Sequence, residues 1–401
     1  MPTKSLPSKK VISWAFYDFA DQAFQAIFIT LLFPIFIVQI LGGNELQVGI
    51  VSSLSVLAAA FLVPWIWATA DIIWKRNYIL LTAWVFTWIF WIITGFVDLY
   101  LALLFWLLAK IFHYISKGIY DSKIIETTQP QNFWKVSGIG LLFGYIWTIA
   151  SLLVAFFILE FWWWESLEGF RYVFVMCALW YIIFMLPILL NLPDRSWVNK
   201  KLSPDTLKQS LKNVIKNIKN LPKTNYLGRF LGAAFLYNNA MSSIVIFLWL
   251  YATEDMGMEM KEFFPIFGLL SIFAAIGAII FGRLSDKYWP FKMIKLCLII
   301  WIGVVSIMIT DINYYTFLLT SCVWGIVFGG IWALNRHTIT YITPPNQISS
   351  IFGFESLTAR MSGLFGPAIF GALANFYSYE MAMISVIVFF ILGFFVIRKL
   401  H

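Results

Sequence analysis

Charge is scarce in this chain. Of its 401 residues only 12% are Asp, Glu, Lys or Arg, while 61% are hydrophobic and 19% aromatic. Soluble domains carry about 25% charged residues, so this composition excludes an ordinary cytosolic protein. Long polar stretches are lacking too. The longest, Leu192 to Arg229, has the size of a linker and leaves no separate soluble catalytic domain. Cysteine is limited to Cys177, Cys297 and Cys322, all inside apolar segments and without CxxC spacing, which argues against a disulfide framework or a zinc site. Histidine is limited to His113, His337 and His401, and HExxH, GxSxG and GxxxxGK[ST] are missing. An intramembrane enzyme and an ATP-driven pump therefore have no residues to rest on, and neither a metal nor a cofactor is expected.

What is there is a succession of apolar runs, near 12–41, 46–70, 78–97, 100–119, 137–159, 171–192, 227–252, 263–282, 291–310, 314–335, 348–375 and 379–397. A spanning helix needs about 20 apolar residues, so twelve spans use ~240 residues and leave ~160 for loops and ends. The first run is too long for a signal-peptide core and reads as a retained helix.

Placement of the few charges predicts topology. With a cytoplasmic N-terminus, the cytoplasmic connections hold Lys75 and Arg76; Lys117, Lys123 and Lys135; nine basic residues from Arg195 to Arg229; Arg283, Lys287, Lys292 and Lys295; Arg336; and Arg398 and Lys399. The opposite loops hold Arg171 and Lys261 alone, together with most of the acids, from Glu45 and Asp98 to Asp311 and Glu380. This is the positive-inside pattern, with both termini cytoplasmic. The formal charge of +8 is thereby assigned to orientation and to anionic lipid, not to nucleic acid. Trp162, Trp163 and Trp164 at one boundary and Trp289 at the other read as interfacial belt residues.

The halves resemble each other. A shift of 215 positions superposes Gly42 on Gly257, Asp71 on Asp286, Trp74 on Trp289, Pro130 on Pro345 and Gly138 on Gly353. The sequence thus predicts an all-α polytopic membrane protein of twelve transmembrane helices in two pseudo-symmetric six-helix bundles, residues 1–192 and 227–401, with a solute pathway where the repeats meet. Between them, linker 193–226 carries a cap at Ser203, Pro204 in the first turn, and Leu207, Leu211, Val214, Ile215 and Ile218 opposite Lys208, Lys212, Lys216 and Lys219. That pattern predicts a basic amphipathic helix on the inner membrane surface.

Gly282-Arg283-Leu284-Ser285-Asp286-Lys287 resembles the G-x-L-[SA]-D-[RK] signature of the major facilitator superfamily. Its counterpart ends in Asp71-Ile72-Ile73-Trp74-Lys75-Arg76 and has Trp67 where the signature has glycine. A narrower resemblance rests on Trp14 to Asp21, on Phe235-Leu236-Tyr237-Asn238-Asn239, and on the stretch with Gly325, Gly329, Gly330, Ala333-Leu334-Asn335-Arg336, Pro344-Pro345, Phe352-Gly353-Phe354, Gly366-Pro367 and Gly371. Together these look like the vacuolar-effluxer-like branch of the superfamily, linked in fungi to amino-acid export. Asn239, Ala240 and Asn335 depart from that branch, where aspartate, glycine and serine are commoner. The resemblance implies the major facilitator fold, a pathway lined by spans one, four, seven and ten, and alternating access. Asp71, Lys75, Arg76, Gly282, Asp286, Lys287 and Arg336 are the expected gating residues, since loop carboxylates and cations can exchange partners between two global states.

Candidate substrate or proton-coupling residues are the polar groups inside apolar runs. Asp18, Asp21, Gln22 and Gln25 share one face of the first span, and Lys110, His113 and Lys117 share one face of the fourth. A buried charge in lipid needs a partner or a cavity, so the two stripes are expected to meet in the cytoplasmic half of the first bundle. His113 carries a proton-coupling hypothesis, because an unperturbed histidine titrates near pH 6.5. In the second half Asn238, Asn239 and Ser242 offer neutral hydrogen bonds, Glu355 is expected to pair with Arg336, and Arg360 with Asp21 is compatible with a zwitterionic solute. The function so predicted is secondary transport of a small solute, an amino acid or related metabolite, in the efflux direction, by a monomer in the cell (inner) membrane. Protons and membrane lipid are the other expected partners. A non-transporting sensor on the same fold and a lipid flippase stay open as alternatives.

Overall fold

The computed structural model describes residues 8–73, 76–123, 127, 133–162, 166–192, 204–205, 208, 212, 225–310, 313–342, 358 and 361–400. Among the described residues there are helices and no strand. The first run is helical throughout: α1 covers Lys9–Ala23 and passes into π-helical Phe24–Leu32, a short α-helical Phe33–Ile35 and π-helical Phe36–Ile40. Next come α2 (Glu45–Ile73), α3 (Arg76–Thr94), α4 (Leu99–Ser122), α5 (Phe133–Trp162) and α6 (Leu167–Asn191). Then follow α7 (Asn225–Leu250, continued by π-helical Tyr251–Asp255), α8 (Met260–Lys287), α9 (Pro290–Met308), α10 (Tyr314–Ile342), α11 (Gly366–Phe376) and α12 (Tyr379–Arg398).

Nine helices among the described residues are long and apolar enough to cross a membrane, and three shorter apolar stretches, Ile27–Ile40, Thr148–Trp162 and Gly366–Phe376, fall in other expected runs. Their outward faces are apolar as well: on α6, Leu179, Ile183, Leu186 and Leu190 are all exposed. A helix apolar all round belongs in a core or in lipid, and these faces have no protein cover, so the chain is an integral membrane protein. Starts are capped in ordinary ways. Ser166 and Ser378 accept from the N–H groups of Gly169 and Met381 at the heads of α6 and α12, Glu259 and Glu262 form a capping box on α8, and Pro290 opens α9 behind Trp289. Trp162 and Trp289 are both exposed. Trp163, Trp164, most of the linker helix, Glu355 and Arg360 lie outside the described residues.

The chain forms two compact units, Met1–Leu32 with Phe61–Asn220 and Phe33–Ala60 with Leu221–His401. In the first, α1 packs on α5 and α6, and α3 on α4. One end of this unit is tied by polar bonds: Trp14 Nε1 donates to the Tyr120 carbonyl over 3.2 Å, Asn191 Nδ2 to Ser13 Oγ over 3.0 Å, and Lys123 Nζ and Asn77 Nδ2 both to the Leu192 carbonyl. Lys123, read from sequence as an orienting cation, is fully buried and sits on the carbonyl just past the end of α6, where the helix dipole favours positive charge.

In the second unit α8 and α10 pack backbone to backbone, because glycines line their contact. A Cβ on Gly329 would run into the Ala274 carbonyl, and one on Gly277 into that of Ile326. The four-residue spacing of Gly325 and Gly329 is the small-residue pattern of close helix contacts in lipid. Here too the repeat shows in the backbone. Phe36–Ile40 and Tyr251–Asp255 are both π-helical and 215 residues apart. Leu41 N–H reaches the Phe36 carbonyl as Met256 N–H reaches that of Tyr251, and Gly42 and Gly257 follow with φ of 70° and 65°. Only glycine adopts that left-handed conformation freely, which explains why this pair matches.

Candidate functional site

The two polar stripes meet inside the first unit. Asp21 and His113 are almost completely buried, and Asp18 is 8% exposed. Lys117, on α4, holds both carboxylates: its Nζ lies 2.7 Å from Asp18 Oδ1 and 3.0 Å from Asp21 Oδ2. His113 Nε2 stands 3.2 Å from Asp21 Oδ1, off the line of a good hydrogen bond, so this attraction grows with a proton on the imidazole. Gln25, one turn further along, donates from Nε2 to Asp21 Oδ2 over 3.4 Å. The spacing explains the arrangement: Asp18, Asp21 and Gln25 are three and four apart on α1, as His113 and Lys117 are four apart on α4, so each set forms one stripe.

Aromatic rings wall the cluster. Tyr120 and Tyr17 stack at 4.0 Å between centroids, and Lys117 Nζ lies 4.6 Å from the Tyr120 ring. Phe24 lies 4.4 Å from the His113 ring and 4.3 Å from that of Trp91. Tyr17 Oη is 3.0 Å from Ser116 Oγ and 3.2 Å from Tyr181 Oη. Tyr17, Ser116 and Tyr181 were not singled out by the sequence, although Tyr17 sits inside the quoted Trp14–Asp21 stretch. Largely shielded from water, carboxylates held by an ammonium with an imidazole alongside form a preorganised polar site that can answer to a proton on the imidazole or to a hydrogen-bonding solute.

Other expected residues fall elsewhere. Lys110, one turn from His113, does not join the carboxylates; it is 2% exposed with Nζ 4.3 Å above the Trp106 ring. Asn239, in the second unit, is occupied. Its Oδ1 accepts from the N–H groups of Phe365 and Gly366 at 3.2 and 2.8 Å, and its Nδ2 donates to the Phe235 carbonyl. It thus caps the start of α11 from another helix. Asn238 is buried with no partner for its Nδ2 among the described residues. Asn335 Oδ1 accepts from Tyr237 over 2.6 Å.

Of the expected gating residues, Arg76 is 7% exposed and heads α3, and Lys287 is exposed at the end of α8. Ser285 donates to the Gly282 carbonyl over 2.7 Å and lies 2.6 Å from His337 Nδ1. Gly282 to Lys287, expected to connect two spans, form the last turns of α8, and that bond joins them to α10. Among the described residues nothing stands within 4 Å of a Cβ placed on Gly282. Lys75, Glu355 and Arg360, and the side chains of Gln22, Asp71, Asp286 and Arg336, lie outside the described residues. Among the described residues no group of His, Cys, Asp and Glu has the makings of a metal site.

A family model described as vacuole effluxer Atg22 like matches residues 125–400. The uncharacterized MFS-type transporter YxiO of Bacillus subtilis is 22% identical over 417 residues, covering 96% of this chain and 93% of the relative. Autophagy-related protein 22 of Vanderwaltozyma polyspora is 20% identical over 270 residues, which cover 60% of this chain and 51% of the fungal protein. Among solved structures, the nucleoside transporter NupG superposes with a TM-score of 0.72 at 14% identity over 98% of this chain and 100% of its own. The xylose transporter XylE from E. coli gives 0.73 at 12% identity over 98% and 97%. At such identities the structures speak for the fold, which is that of the major facilitator transporters.

Proposed function

The chain belongs to the vacuole effluxer Atg22-like family, and from that premise we propose that it is a secondary carrier, not an enzyme, exporting a small solute by alternating access. The substrate class we assign is an amino acid or related metabolite. In this reading twelve helices form two six-helix bundles, 1–192 and 227–401, with the linker and both termini in the cytoplasm of a cell whose inner membrane holds the protein as a monomer. Relatives and structural neighbours described as transporters support the carrier.

The observation that carries the proposal is the buried set Asp18, Asp21, Lys117 and His113. Charges inside a membrane protein are costly and are kept where they face a pathway or a partner. Here two carboxylates share one ammonium, and an imidazole stands ready beside the deeper of them. One proton on His113 changes the charge of the set, which supports proton coupling as the energy source. Residues Gln39 and Glu45, at the far end of the first span and the head of α2, bond to Glu254 and Tyr379; we read these as bonds that break and reform in the transport cycle. The test is reconstitution: purified protein in liposomes preloaded with unlabelled amino acids should show saturable counterflow of the labelled ones. Binding without flux would point to a sensor on a carrier fold, and this proposal would fall.

A further inference from the structure

Lys110 is a buried lysine that the cluster does not use. It lies at the middle of the 24-residue α4, is 2% exposed, and shares the helix face of His113 and Lys117. Among the described residues its Nζ has no carboxylate within ion-pair distance and no hydrogen-bond acceptor; its neighbours are the rings of Trp106 at 4.3 Å and Tyr114 at 6.0 Å.

Nor do helices α3 to α6 hold a spare acid at this depth. Residues 76–120 contain Asp98 alone, about 18 Å away along the helix axis at ~1.5 Å per residue, and the acids of α5 and α6 are Glu160 and Glu168, at the ends that share a short loop. Asp18 and Asp21, the acids of α1, are already held by Lys117, and Asp21 is approached by His113 as well. Cation–π contact with Trp106 stabilises an ammonium but gives it no counter-charge. No side chain among the described residues supplies the counter-charge that a protonated Lys110 requires.

Resting on the carrier reading, we infer that Lys110 is an anion-binding point, and that the carboxylate of the substrate pairs with it.

The probes are butyrate, benzoate and indole-3-acetate, each beside its uncharged amide, with thermal shift and calorimetry on the purified full-length chain. At least one carboxylate is expected to stabilise the protein while its amide does not. Lys110→Arg should keep that preference. Lys110→Met, similar in length, should weaken the carboxylate by at least about 30-fold, the effect of removing one member of a buried charge pair, while leaving the fold intact by circular dichroism. The inference is overturned if amides bind as well as carboxylates, if no carboxylate binds, or if K110M binds them unchanged. A Lys110 that merely balances the two aspartates gives the last of these results with a lowered melting temperature. Counterflow on the same samples separates the two proposals. Saturable flux indifferent to Lys110→Met leaves the carrier standing and removes the anion point. Lys110-dependent carboxylate binding without flux does the reverse.

Discussion

Gln39 and Glu254 stand 215 positions apart, the period of the internal repeat, and they touch: Gln39 Nε2 donates to Glu254 Oε1 over 2.7 Å. A residue has met its own counterpart in the other repeat. Each sits on a π-helical turn followed by a left-handed glycine, and Gln39 donates to Thr253 Oγ1 as well. The bonds are exposed, so Gln39→Ala should cost less than about 1 kcal/mol of stability. Amide exchange over residues 36–41 and 251–256 should nonetheless rise, because π turns are easily remodelled. Exchange equal to that of the parent would show that the bond restrains nothing.

Lys117 is the hub of the buried cluster, and Lys117→Met takes the ammonium from both carboxylates, leaving Asp21 only His113 and Gln25. It should be the most destabilising single change there, by about 3–5 kcal/mol, the usual effect of stranding a buried charge. Adding Asp18→Asn should recover part of that loss, since the two sites are coupled. Melting temperatures of the two variants check this; additive losses would mean that Lys117 and Asp18 do not act as a pair.

Asn239 was expected to line the pathway, and the geometry makes it a cap. Asn239→Ala removes the acceptor for two N–H groups at the head of α11 and should cost about 1–2 kcal/mol. Asn239→Asp keeps an acceptor there with a charge that suits a helix N-terminus, and should be tolerated. Transport assays should show unchanged KM in N239D. A raised KM there would return Asn239 to the pathway.

The contrast between Asn239 and Asp21 shows what the chain makes legible. Asp21, Asp18, His113 and Lys117 were readable because spacing within a single helix decides which side chains share a face, and a deep charge needs a partner. Which lysine would serve was not readable, since Lys110 and Lys117 lie on one face and only the crossing of α1 and α4 selects between them. Asn239 meets a helix that begins 127 positions later, and no local pattern announces such a contact. The apolar runs announced the helices, and the Gly42 and Gly257 match announced the repeated turn. The π-helical stretches from Phe24 to Ile40 have no residue signature of their own. Trp67, in place of the signature glycine, marked one weak copy of the loop motif, but the side chains that would show its consequence lie outside the described residues.

His113 faces Asp21 at 3.2 Å and has the one side chain in the cluster whose ordinary titration falls near neutrality. An imposed pH gradient should therefore drive solute movement in proteoliposomes, and His113→Ala should abolish that response while leaving gradient-free exchange. Equal insensitivity to the gradient in both proteins would remove the proton from the mechanism.

The most direct measurement is counterflow itself, with parent and Asp21→Asn proteins matched for melting behaviour. The account predicts saturable accumulation of labelled solute by the parent and its loss, by at least about tenfold, in D21N, because that change weakens the contacts of Lys117 and His113 together. Flux no greater than that of protein-free liposomes, or equal flux in the two proteins, would contradict it.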